Sequence, residues 1–260
     1  MIVYKIKRKS YIADLYVPEQ AIRNVVVLIP GLPKSSNAEK IIKTLLSSGS
    51  AILYPNYSGT YDSAGKFDGF QCINDVREFI EWAHQTEVTE LYFEKKIGLN
   101  SNKDVIVVGM SFGAVISLLS CNIRVNKLIL LSPALLFNQS EISETIEFDF
   151  KSQMDSLISL LKRAFPFTYR IRSFVSLRKF LYGQTEILYR ESIKNMLNNL
   201  KIKTLVVHGK LDSSVPWQIS KELRKSTNNK LIEWKFLRIG HGTSSYNKRS
   251  LDIISNFIKG

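Results

Sequence analysis

Two kinds of hydrophobic pattern alternate along the chain, and together they predict an α/β protein. Short apolar runs rich in β-branched residues, typical of strands buried on both faces, occupy residues 25–29, 51–54, 105–108, 127–131, 204–207 and 232–237. Helical spacing of apolar residues occupies 38–47, 73–84, 112–121, 219–225 and 251–259. Strands that alternate with helices predict an open, mostly parallel sheet flanked by helices.

The first twenty residues follow a different pattern. Residues 2–7 and 12–17 alternate imperfectly between apolar and polar side chains. This spacing predicts an antiparallel hairpin at one edge of the sheet.

One interval is too long for an ordinary connection. About seventy residues separate the predicted strands 127–131 and 204–207, whereas a crossover needs only a helix and two short loops. The interval holds aromatic and basic residues at helical spacings. We therefore expect an α/β core in residues 1–135 and 201–260, interrupted by a helical cap in residues 136–200.

The strand 105–108 runs directly into the sequence Gly-Met-Ser-Phe-Gly, centred on Ser111, and then into a helix. A serine between strand and helix on so tight a turn has a strained backbone, and Gly109 and Gly113 remove the Cβ atoms that would clash. The helix N-terminus also offers free N–H groups to a developing oxyanion. Ser111 is the candidate nucleophile.

A serine hydroxyl needs a base, and the chain has only three histidines. His84 lies in a helical run, and His208 ends an apolar strand, where a structural role is expected. His241 stands between two glycines just after the last strand, where its imidazole can reach the edge of the sheet. We therefore predict His241 as the general base.

The third member of a triad should follow the preceding strand, where Asp212 lies four residues after His208. Its structural alternative is to cap the next helix. Because Pro216 favours the first helical position, the cap is expected near Val215. Asp212 is then free to accept the Nδ1 proton of His241 and fix its tautomer.

An oxyanion needs two donors. The backbone N–H of Phe112 follows the nucleophile directly, and Leu32 offers a second N–H in the bend Pro-Gly-Leu-Pro after strand 25–29. Pro30 and Pro33 have no N–H to give. The alternative is that this bend is only a rigid turn.

The order Ser111, Asp212, His241, with Gly-Met-Ser-Phe-Gly, His-Gly-x-x-Asp-x-x-Val-Pro and Gly-His-Gly, resembles the α/β-hydrolase superfamily. The stretch 57–67, with Asn74-Asp75-Val76 after it, is similar to small intracellular esterases of the cinnamoyl or feruloyl type, to dienelactone hydrolases and to acylaminoacyl-peptidase-like relatives. The resemblance implies the α/β-hydrolase fold and a Ser-His-Asp mechanism. The chain departs from many relatives in having Pro30-Gly31 where they have His-Gly.

The predicted cap has a distinctive composition. Residues 156–185 carry no acidic side chain, but they hold six basic residues, Lys162, Arg163, Arg170, Arg172, Arg178 and Lys179, interleaved with aromatics. We expect Phe165, Phe174 and Phe180 to line an acyl pocket, and the arginines to act on anionic substrates. The alternatives are a solvated basic face and docking on an anionic membrane surface.

Composition limits the partners. The net charge is +13, which either reflects anionic partners or a lysine-rich solvated surface. No recognised nucleic-acid module is present, so we expect no nucleic-acid partner. No signal peptide or disulfide framework is evident, which predicts a cytoplasmic protein, and we expect neither a cofactor nor a metal. The oligomeric state is left open.

The predicted activity is cleavage of a carboxylic ester or thioester through an acyl-enzyme, with a small molecule as substrate. One alternative is an acyl-peptide hydrolase or peptidase. Another is a non-catalytic hydrolase-fold protein that binds a ligand or partner, since a fold alone implies no activity. Three candidate triad residues in suitable positions favour the enzyme.

Overall fold

A computed structural model describes residues 1–34, 38–99, 103–121, 124–135, 150–182 and 190–260. The strands are β1 Ile2–Arg8, β2 Tyr11–Val17, β3 Asn24–Ile29, β4 Ser50–Pro55, β5 Glu87–Glu90, β6 Lys96–Gly98, β7 Asp104–Met110, β8 Lys127–Leu131, β9 Lys203–Gly209 and β10 Ile232–Leu237. The helices are α1 Glu39–Ser47, α2 Gln71–Ala83, α3 Phe112–Ser120, α4 Phe150–Ala164, α5 Phe174–Leu181, α6 Arg190–Asn199, α7 Trp217–Ser226 and α8 Lys248–Lys259.

The strands form one sheet in the order β10-β9-β8-β7-β3-β4-β2-β1-β5-β6. The six strands on one side of the sheet, β10, β9, β8, β7, β3 and β4, pair in parallel with one another. Beyond β4, the strands β2 and β1 continue the sheet in antiparallel pairs. The predicted hairpin therefore forms, but its place at the edge of the sheet was wrong, because β5 and β6 extend the sheet beyond β1.

Burial on both faces explains why the central strands show no polar alternation. In β3, Val25, Val27 and Ile29 belong to one hydrophobic cluster, which includes α2 and α3. The intervening Val26 and Leu28 belong to a second cluster, which includes α1 and α8. The side chains of residues 25–29 therefore all need to be apolar.

The interval between β8 and β9 contains α4, α5 and α6. Within it, residues 168–172 are fastened to the loop 59–67 by backbone hydrogen bonds that include Tyr61 N–H to Thr168 O (2.9 Å) and Arg170 N–H to Gly59 O (2.8 Å). Gly59 has φ +71°, and a Cβ there would meet the backbone N of Phe67 at 2.2 Å, so only glycine fits this contact. We call residues 168–172 the latch segment.

Across the described residues, no helix combines the length and hydrophobicity that a membrane span requires.

Candidate active site

Ser111 lies at the end of β7, on a strained turn. Its φ is 52° and its ψ −115°, a conformation that non-glycine residues rarely adopt. A Cβ at Gly109 would lie 2.6 Å from the backbone of Ala114, and one at Gly113 would lie 2.3 Å from the carbonyl oxygen of Pro30. The two glycines therefore allow strand, helix and loop to meet at the serine, as the spacing predicts.

The three predicted triad residues meet at the carboxyl end of the sheet. The Nε2 atom of His241 lies 3.1 Å from Oγ of Ser111, and its Nδ1 atom lies 2.8 Å from Oδ2 of Asp212. Both distances are within hydrogen-bond range. A carboxylate can only accept, so Nδ1 of His241 carries the proton and Nε2 is free to accept one from the serine.

The carboxylate of Asp212 is buried and held on both oxygens. Its Oδ1 accepts hydrogen bonds from the backbone N–H groups of Ser214 (3.0 Å) and Val215 (2.8 Å), while Oδ2 faces His241. Burial alone would raise the pKa of Asp212, but the hydrogen bonds from His208, His241 and the backbone outweigh it and hold the pKa well below its ordinary range. Asp212 therefore stays ionised in the folded protein near neutral pH.

The other two histidines do not reach Ser111. His208 is fully buried, with Nδ1 2.8 Å from Oγ of Ser220 and Nε2 3.0 Å from the carbonyl oxygen of Val215. That carbonyl can only accept, so Nε2 of His208 carries a proton, and this nitrogen also lies 3.4 Å from Oδ2 of Asp212. His84 ends α2 and contacts a backbone carbonyl.

The predicted oxyanion donors lie beside Ser111. Leu32, Ser111 and Phe112 line the same cavity. In the part of the chain that the structure describes, no backbone hydrogen bond uses the N–H of Leu32 or of Phe112. Both N–H groups are therefore available to a ligand oxygen.

Two cavities open on either side of the serine and share Leu32, Pro33, Ser111 and His241. The larger, of about 470 Å³, is mostly apolar, and its further lining residues are Phe112, Ala134, Gln153, Met154, Ser156, Leu157, Leu160, Leu181, Ser214 and Val215. The smaller, of about 270 Å³, is rich in hydroxyl groups, contributed by Ser132, Ser244, Ser245 and Tyr246. We call them the apolar cavity and the hydroxyl cavity.

Phe165, Phe174 and Phe180, which the sequence predicts to line an acyl pocket, are not among the described lining residues of these two cavities. Phe180 is 1% exposed and turns toward the sheet, where its ring packs on Phe112 at a centroid distance of 5.9 Å. It fills space left by Gly69, where a Cβ would meet the ring at 2.5 Å.

Phe165 packs on Tyr169 at a centroid distance of 6.1 Å. Phe174 is partly exposed under the ammonium group of Lys162, which lies 4.3 Å from the ring centroid.

Helix α4 forms the wall of the apolar cavity instead. Met154, Leu157 and Leu160 come from it, and sequence analysis did not select them. The signal was present, because Met154, Leu157, Ile158 and Leu161 follow the i, i+3, i+4, i+7 spacing of an apolar helix face. The sequence prediction chose the aromatic residues after α4 instead of this apolar face.

Two of the arginines predicted to act on anionic substrates have partners within the chain. The guanidinium of Arg170 donates to the carbonyl oxygens of Tyr61 and Ser63. That of Arg178 pairs with Asp155 at 2.8 Å. Arg170 therefore serves to hold the latch segment against loop 59–67.

Lys34 follows the predicted oxyanion bend, and its amine is largely buried. Its Nζ lies 2.8 Å from Oδ1 of Asn56, 3.8 Å from the centroid of the Tyr54 ring and 3.8 Å from Oδ2 of Asp14. Burial lowers the pKa of Lys34 to about 8, against the partly compensating charge of Asp14.

This pKa predicts a change in stability with pH. The folded protein favours the neutral amine, whereas the unfolded chain holds its proton up to higher pH. The resulting contribution of Lys34 to the free energy of unfolding is complete above the unfolded pKa of 10.5 and is lost as the pH falls to about 8. The free energy of unfolding of the wild type, relative to Lys34→Met, should rise by about 3 kcal/mol from pH 8 to pH 10.5. Urea unfolding of both proteins at each pH measures it. Asp62 and Lys5, which also act on this amine, are unchanged in both. A difference that does not vary with pH would contradict the prediction.

Solved structures share this architecture. An esterase from Pyrococcus furiosus has a TM-score of 0.66 at 16% identity, over 99% of this chain and 89% of its own. A bromoperoxidase from Bacillus anthracis has a TM-score of 0.66 at 16% identity, over 100% and 99%. Est1E from Butyrivibrio proteoclasticus, solved with ferulic acid bound, has a TM-score of 0.63 at 16% identity, over 98% and 96%. At such identities the likeness is one of fold, and it confirms the predicted α/β-hydrolase fold.

No curated protein sequence matches the chain. A family profile does: that of the X-Pro dipeptidyl-peptidase (S15 family) matches residues 7–138, just over half of the chain. The matched part contains Leu32, Ser111 and Phe112, and the resemblance to the α/β-hydrolase superfamily is confirmed. The chain belongs to the X-Pro dipeptidyl-peptidase (S15) family of α/β-hydrolases.

Proposed function

We propose that the protein is a serine hydrolase that cleaves a carboxylic ester or thioester of a small molecule through an acyl-enzyme. Ser111 is the nucleophile, His241 the general base and Asp212 the acid that orients the histidine. The observation that carries this proposal is the continuous chain of contacts from Ser111 Oγ through His241 to Asp212 (3.1 and 2.8 Å), which opens on an apolar cavity. A fold alone would not support it.

The proposed reaction follows from these positions. His241 Nε2 takes the proton of Ser111 as Oγ bonds to the carbonyl carbon, and the oxyanion accepts hydrogen bonds from Leu32 and Phe112. The imidazolium then protonates the leaving alkoxide or thiolate, and the carbonyl forms again as the acyl-enzyme. In the second half, His241 deprotonates a water molecule that attacks the acyl carbon, and Ser111 leaves with its proton restored.

The apolar cavity suits an uncharged acyl group of moderate length. Most of its lining side chains are apolar, and His241 is the only titratable side chain among its described lining residues. Apolar pockets with few polar groups are typical of small-molecule sites. We therefore propose that the acyl chain lies along α4.

We further propose that residues 136–200 act as a cap. Of these, the structure describes 150–182 and 190–200, and the contribution of α4 to the apolar cavity supports the proposal. A cap of this kind would exclude water from the acyl-enzyme and shape the pocket.

Peptidase activity is the second candidate, because the family is named for an X-Pro dipeptidyl-peptidase. An enzyme that removes dipeptides must accommodate a positively charged amino terminus, which calls for a carboxylate. Neither cavity at Ser111 has an Asp or Glu among its described lining residues. This favours the ester over the peptide.

The test begins with a fluorophosphonate probe, which labels an activated serine. A series of p-nitrophenyl esters from acetate to decanoate then gives the acyl preference, and Ala-Pro-p-nitroanilide tests the peptidase. We expect labelling and ester turnover, with a higher kcat/KM for esters than for the anilide. Turnover of the anilide alone would reject the esterase in favour of the peptidase.

Because α4 lines the apolar cavity, we expect its side chains to determine the preference for acyl chain length. Leu157→Trp should fill the apolar cavity and lower kcat/KM for p-nitrophenyl octanoate by about tenfold or more, while acetate turnover changes little. The reason is that losing the binding site of even one methylene group lowers kcat/KM by about tenfold. Phe167→Ala, which truncates a side chain 90% exposed and outside the cavity, is the matched control. Equal effects on octanoate and acetate would show that the chain lies elsewhere.

A further inference from the structure

Two buried tyrosines form hydrogen bonds with opposite ends of residues 30–34, which we call the oxyanion loop. At one end, the hydroxyl of Tyr57 donates to the carbonyl oxygen of Pro30 at 3.0 Å. At the other end, the backbone N–H of Lys34 donates to the hydroxyl of Tyr169 at 2.8 Å. Leu32, which offers the proposed oxyanion N–H, lies between these two anchors.

The loop has few other means of holding its shape. Pro30 and Pro33 have no N–H, and no backbone–backbone hydrogen bond of the described residues involves a group of residues 30–34. The loop also passes close over the nucleophile turn, since a Cβ on Gly31 would lie 3.2 Å from the carbonyl oxygen of Met110. Contacts from outside the loop must therefore set the position of the Leu32 N–H.

Tyr57 is well placed to link the two oxyanion donors. It follows β4 and is 2% exposed, and its ring packs edge-on against Phe112 at a centroid distance of 5.9 Å. One side chain thus contacts the residue that carries the first donor and the loop that carries the second. Burial raises the pKa of Tyr57 well above its ordinary value, so its proton is always present to donate.

Tyr169 comes from the latch segment and is itself firmly placed. It is 3% exposed, and its ring packs on Phe67 at 5.4 Å and on Tyr61 at 5.9 Å. The backbone on either side is bonded to loop 59–67, as described above. The hydroxyl oxygen of Tyr169 acts toward the loop as an acceptor, because the backbone N–H of Lys34 donates to it. Burial raises the pKa of Tyr169 as well, so this arrangement is kept at working pH.

From this geometry we propose that Tyr57 and Tyr169 are positioning residues that form a clamp on the oxyanion loop and hold the N–H of Leu32 toward the reacting carbonyl. The inference rests on the proposed function and extends it, because it makes the segment between β8 and β9 a support of the transition state. Neither tyrosine is among the described lining residues of the two cavities at Ser111. Their effect acts through Leu32.

The clamp predicts a loss in kcat without a loss in substrate binding. Tyr57→Phe and Tyr169→Phe each remove one oxygen and keep the ring. Each should lower kcat by about tenfold and change KM by less than about twofold. The expected loss is smaller than the roughly 10²–10³-fold fall in kcat that follows the complete removal of an oxyanion donor, because the Leu32 N–H is still present. The affinity for an alkyl boronic acid, which forms a tetrahedral adduct with the serine, should fall by the same factor as kcat.

Tyr11→Phe is the matched control. It also removes a buried phenol hydroxyl, one that donates to Asp75 at 3.0 Å, but among the described residues no hydrogen bond or ring contact joins Tyr11 to the oxyanion loop. We expect it to lower the melting temperature as the clamp variants do while kcat and boronate affinity stay as in the wild type. If all three variants changed kcat alike, or if the clamp variants changed only the melting temperature, the clamp would be refuted.

Amide hydrogen exchange tests the clamp separately from activity. Exchange at the Lys34 N–H should quicken in Tyr169→Phe, and Tyr57→Phe should quicken exchange within residues 31–34, both relative to Tyr11→Phe. Failure of the wild type to react with a fluorophosphonate would reject the proposed function alone. Unchanged exchange in both clamp variants would reject the clamp alone.

Discussion

Replacing Ser111 with alanine should abolish labelling by a fluorophosphonate and lower ester turnover by about a millionfold, as for a triad that acts as one unit. The reason is that Oγ is the only atom in the arrangement that can form the acyl bond, and it already lies 3.1 Å from the base. A small residual rate above that in water is expected, because the oxyanion loop and the apolar cavity remain.

The fold should survive the change. Ser111 adopts φ 52°, and alanine is no less able than serine to take that conformation, while Gly109 and Gly113 are unchanged. Circular dichroism and the melting temperature should therefore match the wild type. Ser132→Ala, at a neighbouring serine of the hydroxyl cavity, is the control and should keep its labelling. Full labelling of Ser111→Ala would mean that another residue is the nucleophile.

Replacing His241 with alanine should be nearly as damaging as replacing the serine, by about 10⁵–10⁶-fold in kcat, because the serine and histidine transfer one proton between them. Asp212→Asn should cost less, about 10⁴-fold, since it disturbs the tautomer and leaves the geometry intact. Both are measured as kcat on the best p-nitrophenyl ester.

The same experiment separates the histidines. His84→Ala removes an imidazole at the end of α2 and should leave kcat unchanged. His208→Ala should mainly lower stability, because it leaves the buried Ser220 hydroxyl and Val215 carbonyl without their partner. A full loss of activity in His84→Ala, together with an active His241→Ala, would overturn the assignment of the base.

The sequence predicts the parallel sheet and the proximity of Ser111, His241 and Asp212 because local chemistry and strand order determine both. Glycine at 109 and 113 is needed wherever a strand turns so sharply into a helix, and strands buried on both faces must be apolar throughout. The contact between His241 and Asp212 follows from the rule that parallel strands bring their carboxyl ends to one edge. These features depend on neighbours along the chain or on topology alone.

What the sequence leaves undetermined depends on partners distant along the chain. Strand β5 is the four-residue segment Glu-Val-Thr-Glu, whose strand character comes from pairing with β1. Phe180 has the composition of a pocket residue, but Gly69, more than a hundred positions earlier, creates the space that takes its ring into the core. Likewise, nothing in the sequence around Lys34 indicates that Tyr169 bonds to its backbone.

The order of strands also bears on synthesis of the protein. The proposed nucleophile and the two proposed oxyanion donors follow the interior strands β7 and β3, whereas Asp212 follows β9 and His241 follows β10, the two strands that complete one side of the sheet. A nascent chain that has emerged only as far as β8 can carry Ser111 on its finished turn, yet it has no base to take the serine proton. The proposed acyl transfer can therefore begin only when β9 and β10 have joined the sheet, and we expect a partly synthesised chain not to react with esters.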